Sequence, residues 1–130
     1  MRYGASNAIA AIAAHAVVGA VHSAAHARLS VTLSPAQGAF VNVVVGAVPL
    51  LAGLLIWRPA PRVGGWLLLA SMFGALIFGL WNHFLVPGSD NVSSMPANAW
   101  GAAFQVTAVL LAVTESWACW AGVRVLRRDS

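Results

Sequence analysis

The stretch HAVVGAVHSAAHA, residues 15–27, places several histidines inside an otherwise apolar run. It carries His15, His22 and His26, three of the four histidines in the 130-residue chain. Each residue of an α-helix advances 100°, so steps of seven and four residues bring the imidazoles onto one stripe about 40° wide. The spacing therefore predicts a helix that presents three titratable rings to the same neighbours.

The composition of the whole chain indicates lipid surroundings. Hydrophobic residues make up 60% of the chain and charged residues 8%, whereas a soluble domain carries about 25% charged residues. A charge content this low cannot cover a water-facing surface. The basic residues are all arginines and are scattered, so we expect no nucleic-acid partner. A single cysteine, Cys119, excludes an internal disulfide and a CxxC metal site.

Four apolar segments are long enough to cross a bilayer, which takes about 20 helical residues. Backbone groups in lipid must be bonded within their own segment, so each segment is predicted to be a helix. The expected fold class is all-α, an integral membrane four-helix bundle, with residues 1–130 forming a single transmembrane domain. The predicted spans are about 7–27, 37–57, 63–86 and 98–125.

The distribution of arginines predicts the orientation of this bundle. Six arginines fall at the termini and in the turn between the second and third spans, while only Arg28 falls at the opposite end. Because cytoplasmic loops carry the excess of basic residues, both termini are predicted to be cytoplasmic. The membrane expected is a bacterial inner (plasma) membrane.

Two residues predict local features of the helices. Pro49 lacks a backbone N–H, so it is expected to kink the second span and to free a carbonyl group that a neighbouring helix can use. Asn98 is predicted to cap the start of the fourth span.

Depth along the spans places further polar side chains near the histidines. At about 1.5 Å of rise per residue, His22 and His26 lie in the outer third of the first span. His83 lies at the outer end of the third. Asn42 and Gln105 lie about two turns from the outer ends of the second and fourth spans. All four helices are thus expected to bring polar groups to one outer layer.

A deeper layer is predicted to pair His15 with Glu115. Each lies roughly eight or nine residues from the inner end of its span, so their depths match to about 1.5 Å. Ionisable groups inside a bilayer are costly unless they are partnered, and they indicate a functional site. We expect the two residues to act as a catalytic proton donor and acceptor, or as a structural clasp between helices.

The outer layer favours a metal site. His22 and His26, at positions i and i+4, can bind one ion from a single helix face, with His83 as the third ligand. Asp90 or water would complete the set. Three imidazoles suit a transition metal such as Cu, Fe or Zn, and an open fourth position is typical of a catalytic centre.

A cofactor site can also be built from the same layer. His22 or His26 together with His83 would bind haem b axially from two helices. In either case Asn42 and Gln105 are expected to contact the cofactor or to fix the orientation of its imidazole ligands.

These features predict a membrane enzyme of oxidoreductase or isomerase type that binds a metal or haem and acts on a small apolar substrate. Two alternatives remain open. One is a small proton- or ion-coupled transporter or channel that uses the His and Glu side chains as a ladder. The other is a non-catalytic subunit of a larger membrane complex. Gly and Ala faces also favour a homo-oligomer.

Overall fold

The predicted spans are helices in the computed structural model of the protein, which describes residues 3–58 and 60–128. Helix α1 is Tyr3–Arg28, α2 is Pro35–Trp57, α3 is Pro61–Leu85 and α4 is Ala99–Arg128. All four helices are long and apolar enough to cross a membrane, and the described residues contain no strand. The predicted all-α membrane bundle is confirmed.

Local capping explains where the helices begin. Ser34 Oγ accepts a hydrogen bond from the Gln37 backbone N–H at 3.2 Å, and Gln37 Oε1 accepts one from the Ser34 N–H at 2.9 Å. This capping box starts α2 two residues before its predicted bound. Both α2 and α3 begin with a proline, whose missing N–H has no helical partner at that position. Asn98 caps α4 as predicted, because its Oδ1 accepts from the Gly101 N–H at 2.8 Å.

Two stretches of π-helix interrupt the spans in the half of the bundle away from Tyr3 and Arg128, which is called the outer half from here on. One is Val41–Ala47 within α2, and the other is Trp81–Leu85 at the end of α3. A π turn holds one residue more than an α turn, so it rotates the side chains that follow it around the helix axis. The second stretch contains His83, so regular α-helical geometry does not give the direction of its side chain.

The apolar core lies in the inner half, at the end of the bundle that holds the termini. Helices α1 and α3 pack closely on α4, and α2 packs on α3. A Cβ added at Gly64 would lie 2.7 Å from the Ala52 carbonyl oxygen, so α2 and α3 are almost in backbone contact there. The buried core consists of Ala8, Ala11, Ile12, Ala52, Ile56, Leu68, Met72, Ala75, Ala118, Ala121 and Val125.

Large apolar side chains cover the outside of the bundle. Val17, Leu50, Phe73 and Val106 are each more than half exposed. A monomeric soluble protein rarely exposes so much contiguous apolar surface, whereas acyl chains are as apolar as these side chains. The surface therefore indicates a lipid environment.

Helix α1 uses a carbonyl group that Pro49 leaves free. The carbonyl oxygen four residues before this buried proline belongs to Val45, and it lies 3.3 Å from His15 Nε2. A carbonyl oxygen only accepts hydrogen bonds, so Nε2 of His15 is the donor. The contact joins α1 to α2 near the middle of the bundle and gives His15 a structural role.

We expect His15→Leu to destabilise the protein mainly through this carbonyl. Losing the donor leaves a buried acceptor unpaired, which costs about 1–3 kcal/mol. In Pro49→Ala the helix regains a backbone N–H at this point, so His15→Leu should cost less in that background. Thermal unfolding of the wild type, both single variants and the double variant in one detergent gives the coupling free energy. Equal costs in the two backgrounds would contradict the assigned contact.

Candidate metal centre

Three histidines converge in the outer half of the bundle. His22 and His83 are buried, and His26 is half-buried. One ring nitrogen from each histidine lies within 4.8 Å of the other two. The ring centroid of His22 lies 4.9 Å from that of His26 and 4.9 Å from that of His83. The structure thus brings the three predicted metal ligands together from α1 and α3.

Two of the rings direct Nδ1 at backbone carbonyl groups. His26 Nδ1 lies 3.1 Å from the carbonyl oxygen of Val31, and His83 Nδ1 lies 2.9 Å from that of Asp90. Because a carbonyl oxygen only accepts, Nδ1 carries the donated proton in both rings. The loops after α1 and α3 therefore orient the two imidazoles.

Thr107 of α4 orients the third ring in the same way. Its Oγ1 donates its single proton to the carbonyl oxygen of Ala103, 2.6 Å away. The same Oγ1 lies 2.8 Å from His22 Nδ1 and must accept the hydrogen bond there. His22 consequently also carries its proton on Nδ1.

This pattern leaves the Nε2 lone pairs of His22 and His83 available. In a neutral imidazole, a proton on Nδ1 places the lone pair on Nε2. In the described part of the chain, His22 Nε2 is buried without a hydrogen-bond partner. Metal-binding histidines characteristically donate through one ring nitrogen and ligate through the other. His22 and His83 are therefore held in the tautomer that a metal ion requires.

Asp90 adds a carboxylate from the loop between α3 and α4. Its Oδ1 lies 3.1 Å from His26 Nε2 and 3.3 Å from His83 Nδ1. Burial alone would raise the pKa of the Asp90 carboxyl, but the hydrogen bonds from His26 and His83 outweigh it and lower that pKa below its ordinary value. An ionised oxygen beside Nε2 of His26 needs a positive charge between them. Either a proton on Nε2 or a metal ion supplies that charge.

Phe104 of α4 packs against the whole cluster. Its side chain is fully buried, and its ring centroid lies 4.6 Å from that of His22, 5.0 Å from that of His26 and 5.4 Å from that of His83. An aromatic ring in contact with all three imidazoles restricts their rotation and excludes water from that side. Phe104 is thus a positioning residue for the site.

Comparing the depths of polar residues along the spans does not identify Phe104 or Thr107 as residues of the site. Both lie on the face of α4 that also carries Glu115, because residues three or four apart on a helix are neighbours. Counting back from Glu115 in such steps passes through Leu111, Thr107 and Phe104. Helical periodicity, rather than depth, is the signal that finds these two residues.

A cavity of about 420 Å³ extends from the histidines to Glu115. Glu115 is buried, and its Oε2 lies 3.8 Å from the position that a Cβ would occupy at Gly79. His83 Cδ2 lies at the same distance, 3.8 Å, from that position. The missing side chain at Gly79 therefore keeps space between the carboxyl group and the third imidazole.

The other predicted site residues are distributed around this cavity. Asn42 lines it, whereas Gln105 does not and instead donates from Nε2 to the Val92 carbonyl oxygen at 2.9 Å. His15 lines a second cavity between α1 and α2. Among the described residues, no hydrogen bond or ion pair joins His15 to Glu115, and His15 Nδ1 is buried without a partner. The structure brings Glu115, rather than His15, to the cavity that the histidine cluster lines.

Together the fold and the site define a helical membrane protein with a histidine cluster that could hold a metal ion. No protein-family model, curated protein or solved structure matches this chain. Its function is therefore argued from the geometry.

Proposed function

We propose that this protein is a membrane metalloenzyme in which His22, His26 and His83 bind one transition-metal ion through Nε2. The observation that carries the proposal is the convergence of three imidazoles, with ring nitrogens within 4.8 Å of one another. Every Nδ1 in the cluster is already bonded to an acceptor. In a tetrahedral site with metal–nitrogen bonds of about 2.05 Å, the nitrogens lie about 3.4 Å apart. The rings would therefore have to move closer together on binding.

The donor set supports Cu, Fe or Zn as the bound ion. Imidazole nitrogen suits these metals, whereas Mg and Ca prefer oxygen. Asp90 contributes a carboxylate oxygen beside His26, either as a fourth ligand or as the charge partner of that ring. A single ion is favoured over haem, because a haem takes axial ligands from opposite faces of a flat macrocycle. Here the third imidazole and Phe104 occupy the space around His22.

A catalytic role is supported by the cavity that adjoins the cluster. Three protein ligands leave a coordination position for substrate or water, and the cavity has room for a small molecule. The metal, when bound, would supply Lewis-acid or redox chemistry, which suits an oxidoreductase or isomerase. Glu115 would hold or release a proton at its carboxyl oxygen inside the cavity, and Asn42 would orient the substrate. His15 would support the site through its contact with α2.

We also propose that both termini are cytoplasmic, in a bacterial inner membrane. The end of the bundle that holds the termini carries Arg58, Arg62, Arg124 and further arginines, while Arg28 is at the other end. Arg2 belongs to this count but lies outside the described residues. The positive-inside rule then assigns the metal centre to the outer leaflet.

Protein purified in detergent is expected to hold about one Cu, Fe or Zn ion per chain, as measured by elemental analysis. His83→Gln removes the ligand from α3 and should lower the metal content about tenfold or more. His15→Gln alters a histidine outside the cluster and is the matched control. The proposal is wrong if neither purified nor metal-reconstituted protein retains an ion, or if both variants lose it equally. A Soret band in the optical spectrum would indicate haem instead.

Thr107→Val is expected to weaken metal binding by about 10–100-fold, because His22 loses the acceptor that sets its tautomer. The matched control is Thr114→Val, since Thr114 is also buried but its Oγ1 donates within α4 to the Leu111 carbonyl oxygen at 3.1 Å. Competition with a chelator of known affinity measures both variants. Similar affinities in the two variants would count against the assigned hydrogen bond.

Labelling of single added cysteines tests the orientation. A cysteine at exposed Ser89, in the loop between α3 and α4, should react with a membrane-impermeant maleimide in intact cells. A cysteine at Ser130 should react only after the cells are permeabilised, because the C-terminus is expected in the cytoplasm. Wild-type protein gives the background from Cys119. The reverse pattern would refute the proposed topology.

A further inference from the structure

The cavity beside the histidines is walled mainly by apolar side chains. Val41, Val45, Phe78 and Leu111 contribute to these walls. The ionisable groups that line the cavity are the histidine cluster with Asp90, and Glu115. A pocket with this lining suits a molecule that is apolar over most of its length and carries a polar group at one end.

The cavity continues to the outside of the bundle between α1 and α2. The backbone contacts of α1 with α2 are concentrated on the inner segment Val48–Trp57, so the outer segments of these helices are less closely packed. Ser23 and Ala27 of α1 and Asn42 of α2 line the cavity and are also exposed. These residues lie within the membrane-spanning helices. The part of the opening beside Ser23 and Asn42, which lie more than one turn from the ends of their helices, would therefore face lipid.

Two glycines line the cavity on its α1 and α2 sides, Gly19 and Gly38. A Cβ added at either glycine would meet no heavy atom within 4 Å, so neither permits a close helix contact. Neither needs glycine for its backbone, because no glycine in the described ranges has a positive φ. Glycine inside a helix is destabilising relative to alanine. The absence of a side chain at Gly19 and at Gly38 leaves open space at the side of the cavity.

We propose that the space between α1 and α2 is a lateral opening that admits a membrane-dissolved amphiphile, with an oxygen-bearing head and a slim apolar tail, to the metal site. This inference rests on the proposed metal function and names the class of substrate. The head approaches the ion and the Asn42 amide, and the tail lies along the apolar walls toward the acyl chains. Desolvation of the tail is small because the tail passes from one apolar medium to another, while the ion and the Asn42 amide would replace the hydration of the head.

The experiment uses Co²⁺-loaded protein in lipid nanodiscs, with octanohydroxamic acid as an amphiphilic metal-binding probe. Its short counterpart, acetohydroxamic acid, reports access from water. Gly19→Leu and Gly38→Leu fill the opening from its two sides. Gly88→Leu is the matched control, because a Cβ there also meets nothing within 4 Å while Gly88 lies in the outer loop and does not line the cavity. Visible absorption of Co²⁺ measures probe binding, and elemental analysis measures the cobalt content.

Octanohydroxamate is expected to shift the cobalt spectrum of the wild type and of Gly88→Leu equally. Both opening variants should retain cobalt yet bind this probe about tenfold more weakly or more slowly. Gly19 lies three residues from His22, so Gly19→Leu could also lower the cobalt content. In that case probe binding is compared between Gly38→Leu and the wild type.

Two outcomes overturn the lateral opening while leaving the metal site intact. One is unchanged octanohydroxamate binding in cobalt-loaded variants at both glycines. The other is tighter binding of acetohydroxamate than of octanohydroxamate by the wild type, because this would indicate access from water. A folded wild type that binds no cobalt would instead overturn the metal function together with the inference that rests on it.

Discussion

A polar group inside a bilayer has no water to bind, so most of those in this bundle are bonded within the protein and any that are not are costly. The inner half meets this requirement by packing small apolar residues, such as Ala52 and Ala118, with few polar groups among them. In the outer half, the Nδ1 atoms of the histidines bond to Thr107 of α4 and to the loops after α1 and α3. These hydrogen bonds connect the helices around a cavity, and they leave Nε2 of His22 without a partner and available to a ligand.

The helical framework is predictable from sequence because lipid allows so few backbone solutions. Apolar runs predict the four spans to within about one turn, and Asn98 correctly predicts the cap of α4. The histidine stripe follows from regular helix geometry, since residues seven and four apart share a face. The depth of His83 correctly predicts that it lies at the level of His22 and His26, because α1 and α3 end at the same side of the bundle.

The depth of a residue along its helix does not predict the direction in which its side chain points around the helix axis. Gln105 and Thr107 differ by only about 3 Å in depth but by about 200° in direction, and only Thr107 faces His22. His15 and Glu115 are likewise matched in depth, yet His15 turns to the Val45 carbonyl that Pro49 frees. The π-helical stretches change these directions further. Helical periodicity gives the face that a side chain shares with its neighbours, but the partner that this face meets depends on tertiary packing.

Charge balance connects the cluster to Glu115 in the proposed function. Buried charges are tolerated when they are paired or bind a metal. A divalent ion held by neutral imidazoles and the Asp90 carboxylate would leave one positive charge uncompensated in an apolar cavity. An ionised Glu115 carboxyl, or an anionic oxygen on the bound molecule, would neutralise it. Because Glu115 lines the same cavity, proton release at Glu115 and ligand binding at the metal would be electrostatically coupled. That coupling gives a physical reason for a carboxyl group so deep in a lipid-embedded bundle.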